Sequence, residues 1–348
     1  MDKINLLIGT HKDYSDAGIF MYDFDQENGG TQFLGKTLAD YFSHFTVSSN
    51  KEFVYAIKLL DNGVGKIVAY RRSLNNGVLT PINEITIDGI DPCYIIIDKN
   101  RTYAILANNG SGDIILYKIN EDGSLSDQSQ KVVFQGRGDN NNAQQHSHIQ
   151  CVKFTPNEDY IIITDLGTDS IYIHKIIDYD KDTYIQTTNY MYKLNVEGSG
   201  PRSFVFHPNG KYIYLINALK NLIKFYDYNK KFATLILSQA INGGEEKPKG
   251  YTHIQISPDG LYLYISSKYN NTELLLFKIN QKTGILKQLD SISILAKPTH
   301  FVLSPNGKYM LIASREENTV FAYKRNMKSG MLYSNPKRIS CQIGRAHV

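Results

Sequence analysis

The chain has 348 residues, 42% of them hydrophobic, and its 38 Lys and Arg against 34 Asp and Glu leave a formal net charge of +4. A charge this small, spread along the chain without a Lys/Arg block, excludes a surface built to track a nucleic-acid backbone, and no stretch approaches the roughly 20 apolar residues of a membrane-crossing helix. Three cysteines without CxxC spacing read as reduced thiols, and with no signal-peptide pattern the expected setting is the cytoplasm.

In chain order, the first predicted elements are strands over residues 4–9, 18–24 and 31–36. One phrase then returns six times: an apolar strand, a turn, a second apolar strand. The turns stand at Ser49-Asn50, Lys99-Asn100, Pro156-Asn157, Pro208-Asn209-Gly210, Pro258-Asp259-Gly260 and Pro305-Asn306-Gly307. From Asn50 to Asn306 the spacing averages about 51 residues, a period that means a propeller or a solenoid.

The unit over residues 200–237 shows the grammar best. Alternating residues 203–206 give a short strand, and His207-Pro208-Asn209-Gly210 supplies the turn. Residues 212–216 are apolar on both faces, as in a strand sandwiched between neighbouring sheets. A third strand follows over 222–228 and a fourth over 232–237. The same four-part unit reads through 41–87, 89–134, 146–194, 250–294 and 297–340, with recurrent turns such as Asn120 to Gly123, Gln281 to Gly284 and Met327 to Gly330 after the third strand.

Four short-turned strands make one propeller blade. The expected fold is therefore all-β: a seven-bladed β-propeller of four-stranded antiparallel blades in one domain over 1–342. A solenoid β-helix fits less well, because its repeats are shorter. The N-terminal strands lack the innermost member of their blade, which in a closed ring comes from the C-terminus. The sequence stops where that strand is due, so the closing strand is expected to be wholly or partly truncated. Residues 343–348 break the repeat and match the translation of a common sequencing adapter; they are expected to be a non-native tail.

Motifs add specificity. Leu7-Ile8-Gly9-Thr10 with Gly18-Ile19-Phe20 opens the chain. Asp91-Pro92-Cys93-Tyr94 precedes Leu106-Ala107-Asn108-Asn109-Gly110-Ser111-Gly112. Thr164-Asp165-Leu166-Gly167-Thr168-Asp169 follows, and then Gly198-Ser199-Gly200-Pro201-Arg202-Ser203-Phe204 with His207-Pro208-Asn209-Gly210-Lys211-Tyr212. In this order they resemble the motifs of the seven-bladed lactonase family, which includes propeller-type 6-phosphogluconolactonases and a fungal carboxymuconate-lactonising enzyme. The resemblance covers nearly the whole chain.

It implies hydrolysis of a sugar-acid lactone, classically 6-phosphogluconolactone in the pentose phosphate pathway. The site would lie at one mouth of the central channel, using His, Arg and Glu, with no cofactor and no catalytic metal. Arg202 matches the family arginine, and a guanidinium suits a carboxylate, a phosphate or a developing oxyanion. His148 matches the first His of a His-x-His motif whose second position is Gln150; His146 stands two residues earlier, and either imidazole can serve as general base. The run from Gly136 to Gln145 reads as a flexible loop leading into the site.

The family Glu is replaced by Ala218, in Asn217-Ala218-Leu219. Lys58-Leu59, His253 and Thr299 also depart from the pattern at this mouth. Asp165 at a strand end, with Asn108, Asn217, Gln150, His253, Lys268, His300 and Arg315, completes the expected substrate-binding set, a basic mouth suited to an anionic ligand. No metal-ligand spacing and no Gly-x-Ser-x-Gly elbow is present. The lost Glu leaves two other readings: a non-catalytic propeller that binds a sugar acid or a protein, and a lactone-processing enzyme of different substrate.

Overall fold

The computed structural model describes residues 3–10, 17–38, 42–60, 63–179, 182–187, 191–193, 197–243, 250–267 and 272–340. Every regular element among them is a β-strand, and the strands sort into seven antiparallel sheets that succeed one another along the chain. These are the blades. Blade 1 holds Lys3–Gly9, Gly18–Asp25 and Thr31–Leu38. Blades 2 to 7 each begin with an inner strand: Phe42–Val47, Pro92–Ile97, Ile149–Phe154, Pro201–Phe206, Tyr251–Ile256 and His300–Leu303.

The second strands explain the doubly apolar runs of the sequence. Tyr103–Asn108, Tyr212–Asn217, Tyr262–Ser267 and Tyr309–Ser314 are buried at every position, because a blade packs between two others. Seven apolar clusters result, each shared by two successive blades. The last unites Leu6, Ile8 and Phe24 of blade 1 with Tyr309, Leu311 and Val320 of blade 7, so the ring closes through side-chain packing of the two ends of the chain. Residues 341–348, where the closing strand and the non-native tail were expected, lie outside the described residues.

Outer strands differ most from expectation. The fourth strand of blade 5 runs over Thr234–Asn242, not over 232–237. Asn229 Oδ1 accepts the N–H groups of Lys231 and Phe232, at 3.0 and 3.3 Å, and holds Phe232 in the turn, where it is exposed. In blades 4 and 6 the outer strand is broken into two pieces that pair with the same third strand.

One end of the ring is fastened by a repeated device. Tyr55, Tyr214 and Tyr264, each third in its second strand, donate to the carbonyls of Gly123, Gly284 and Gly330 in the next blade's outer hairpin, at 2.9, 2.8 and 2.7 Å. Gly330 has φ of 77°, and a Cβ there would lie 2.5 Å from the Tyr262 ring, so the hairpin needs glycine. Arg325, buried to 2% exposure, bonds the Gly307 carbonyl of its own blade 7 (3.0 Å) and reaches back to the Tyr264 hydroxyl (2.8 Å) and the Asp259 carboxylate (3.1 Å) of blade 6.

The opposite rim carries a different feature. In blades 2 to 6 the inner strand slips register after its first residue, leaving Ser43, Cys93, Gln150, Arg202 and Thr252 in β-bulges. A bulge bends the strand and re-aims its side chains. Each of these five blades therefore presents one re-aimed residue at the same level of the rim.

Candidate active site

The rim is formed by the starts of the inner strands and the ends of the second strands. Ile149 pairs with Asp165 in blade 4 and Pro201 with Asn217 in blade 5, so Arg202 shares its register with Gln150, and His148, equivalent to Gly200, stands two residues earlier at the same rim of the adjacent blade. The two blades are tied there by Thr164, whose hydroxyl donates to the Arg202 carbonyl at 2.9 Å. His253, His300 and Arg315 occupy the same rim on blades 6 and 7: His253 pairs with Ser266, His300 with Ala313, and the Arg315 N–H bonds the Thr299 hydroxyl at 3.1 Å. Lys268 lies outside the described residues.

His148 is held from both sides. Its N–H donates to Asp165 Oδ1 at 2.7 Å, and its carbonyl accepts the Leu166 N–H at 3.0 Å. Its ring Nδ1 lies 3.2 Å from the carbonyl oxygen of Asn109 on blade 3. A carbonyl only accepts, so Nδ1 carries the proton and Nε2 keeps the lone pair. His146 follows the same logic, with Nδ1 2.8 Å from the Ser147 carbonyl. The two rings lie 4.0 Å apart between centroids. Burial, then the neighbouring His146, push the His148 pKa below the ordinary imidazole value of 6.5; the Asn109 carbonyl and the carboxylates of Asp165 and Asp91 oppose them. The imidazole is thus neutral and basic at Nε2 near pH 7.

The loop bearing both histidines passes directly over the turn after the second strand. A Cβ on Gly167 would lie 1.8 Å from the His146 carbonyl oxygen and 2.7 Å from the His148 nitrogen, so only glycine fits. Gln144, fully buried, anchors the approach by donating to the Leu166 carbonyl at 2.6 Å. The supposedly flexible stretch thus ends in a fixed tether.

Three expected substrate contacts are structural instead. Asp165 is fully buried, and its carboxylate accepts from Ser147 Oγ and from the N–H groups of His148, Gly167 and Thr168, at 2.7, 2.7, 2.9 and 3.2 Å. With four donors on it, that carboxylate orders the histidine loop and offers nothing to a ligand. Asn108 and Asn217 are also fully buried; their amides donate to Asp113 and to the Leu222 carbonyl, at 2.6 and 3.0 Å. Strand-end position alone had suggested the channel, whereas the side chains point into the blade.

Around Arg202 the support is Asp169, whose two carboxylate oxygens accept the N–H groups of Gly198 and Gly200 at 2.6 and 2.7 Å. Ala218, in the place of the family Glu, bonds the Gly200 carbonyl through its N–H at 2.7 Å and contributes no polar side chain. A carboxyl pair sits on the lip of the same two blades: Asp139 hydrogen-bonds Glu197 and raises its pKa, while Lys220 opposes. On blades 6 and 7 the His253 and His300 rings lie 4.1 Å apart between centroids, tilted by 48°, and the Gln255 amide reaches His253 Nε2 at 3.2 Å.

Sequence reasoning missed Asn109, which meets His148 through its backbone carbonyl, and Asp169, whose carboxylate holds the backbone before Arg202. Their only signal was membership in quoted motifs. Among the described residues no three His, Cys, Asp or Glu side chains converge as a metal cage. A cavity of about 610 Å³ lies at the opposite end, lined by Pro156, Asn209, Lys211, Asp227 and Ile236, and contains none of the histidines.

A family model described as lactonase, 7-bladed β-propeller, matches residues 5–345. A 6-phosphogluconolactonase of Bacillus subtilis is 28% identical over 82% of this chain and 80% of its own length. One of Formosa agariphila is 30% identical over 81% of each. A solved structure from Bacteroides fragilis, described as a candidate 6-phosphogluconolactonase, superposes with a TM-score of 0.91 at 28% identity, covering 99% of this chain and 96% of that one.

Proposed function

Because the chain belongs to the seven-bladed β-propeller lactonase family, we propose that it hydrolyses a sugar-acid lactone, with 6-phosphogluconolactone opened to 6-phosphogluconate as its substrate. The supporting observation is His148 with an acceptor Nε2 at the rim that also carries Arg202 in the bulge of the next blade. His148 Nε2 removes a proton from water as its oxygen attacks the lactone carbonyl. Arg202 meets the oxyanion of the tetrahedral intermediate, or the anionic group of the substrate. Collapse breaks the ring C–O bond, and the proton on Nε2 passes to the departing oxygen. Burial, and after it the neighbouring His146, keep the His148 base neutral. The expected place of this reaction is the pentose phosphate pathway in the cytoplasm.

The test is lactone opening measured promptly after mixing, since such lactones also open unaided. Opening faster than in buffer supports the reading, and a panel of unphosphorylated lactones fixes the substrate. Ala218 favours one competitor, a propeller that only binds the sugar acid. Calorimetric binding of 6-phosphogluconate without any turnover selects that competitor.

A further inference from the structure

We propose that Asn109 is the positioning residue of this site, fixing the His148 imidazole in the tautomer that exposes Nε2; the inference rests on His148 being the base. Three contacts carry it. The Asn109 carbonyl receives His148 Nδ1 at 3.2 Å. Its side-chain amide donates to the Ile149 carbonyl at 3.1 Å, clamping the residue onto the strand that follows the histidine. Its N–H bonds the Asp91 carbonyl at 2.9 Å, closing the turn on its own blade. The same side chain therefore ties blade 3 to blade 4 at the point where the imidazole must be oriented. A carbonyl acceptor on one ring nitrogen sets which nitrogen is free.

The comparison among blades separates this role from folding. Asn109 is the first residue after the second strand, and the equivalent positions hold Leu59, Leu166, Ala218 and Arg315 in blades 2, 4, 5 and 7. Leu166 and Ala218 make the same backbone bond, to the His148 and Gly200 carbonyls. The fold therefore does not ask for asparagine at this register. The amide is present where the neighbouring blade presents a histidine.

The experiment compares the whole protein with Asn109→Leu, the residue that blades 2 and 4 carry, and with Asn109→Gln, which retains an amide donor. Nitrogen NMR of the histidine rings reads the tautomer without reference to activity. The parent is expected to show His148 as Nδ1–H. Asn109→Leu is expected to melt as the parent does, to show a mixed or Nε2–H ring, and to lose about 10- to 100-fold in kcat with KM little changed. Asn109→Gln is expected to recover most of the ring signal. A parent ring in the Nε2–H form overturns the proposal, as does an Asn109→Leu variant with unaltered tautomer. Should the ring respond as expected while the parent opens no lactone, the positioning role stands and the catalytic reading falls.

Discussion

At the end where first and second strands turn, successive blades meet the same requirement with a buried polar side chain. Ser48, Asp98, Thr155, His207, Ser257 and Ser304 open the six turns, all buried; within them Ser48, Ser257 and Ser304 bond Asn50, Asp259 and Asn306 at 2.7, 2.5 and 2.8 Å. Three tyrosines then fasten blade to blade, each from the third position of its second strand. At the opposite rim the backbone repeats, bulge for bulge, but the bulge residue changes from Ser43 to Cys93, Gln150, Arg202 and Thr252. A shared backbone with unshared side chains is what a site grafted on a scaffold requires. Substitutions at the turn end should change stability alone, and those at the rim chemistry alone.

The largest effect is expected from Arg325→Met at the turn end. Removing a buried guanidinium that serves Tyr264, Gly307 and Asp259 should cost about 3 to 5 kcal/mol in denaturant unfolding, with activity per folded molecule unchanged. A loss of turnover in still-folded protein breaks the separation of the two ends. Arg202→Ala should do the reverse, lowering kcat/KM by about 10²- to 10³-fold at an unaltered melting midpoint. A variant as fast as the parent takes Arg202 out of the site.

His174 tests whether the stability of the ring has its own pH dependence. Burial brings its pKa from 6.5 to about 4. Above 6.5 the side chain is neutral in both folded and unfolded chains, so it adds no slope. As pH falls from 6.5 to 4 only the unfolded chain takes up the proton, and roughly 3 kcal/mol of stability is lost. His174→Phe should flatten the unfolding free energy over that window; an equal slope in both proteins rules the residue out. The smallest effect belongs to Tyr214→Phe, which deletes one bond to Gly284 and should cost about 1 kcal/mol.

The fold was legible because the turn end writes itself into local sequence. A Pro or polar residue, an Asn or Asp and a Gly recur between apolar runs, since each turn must satisfy the same backbone groups. Blade bounds follow from that repeat; the broken outer strands do not, because side-chain caps such as Asn229 decide them. The site was legible in part. His148 and Arg202 carry chemistry in their own side chains and could be named from spacing and motif. Asp165, Asn108 and Asn217 were candidates by strand-end position, but a strand end does not say which way a side chain points. Asn109 meets the ring through its carbonyl, which every residue possesses, and its amide only clamps that carbonyl in place, so its type alone did not announce the role.

The central claim is that the His148 imidazole, neutral and open at Nε2, activates water at the rim. Its most direct test is the pH dependence of kcat/KM for lactone opening by the parent and by His148→Gln. The parent should lose activity as pH falls through a midpoint below 6.5, and the variant should be slow with that acid limb gone. A variant that keeps both the rate and the limb contradicts the account.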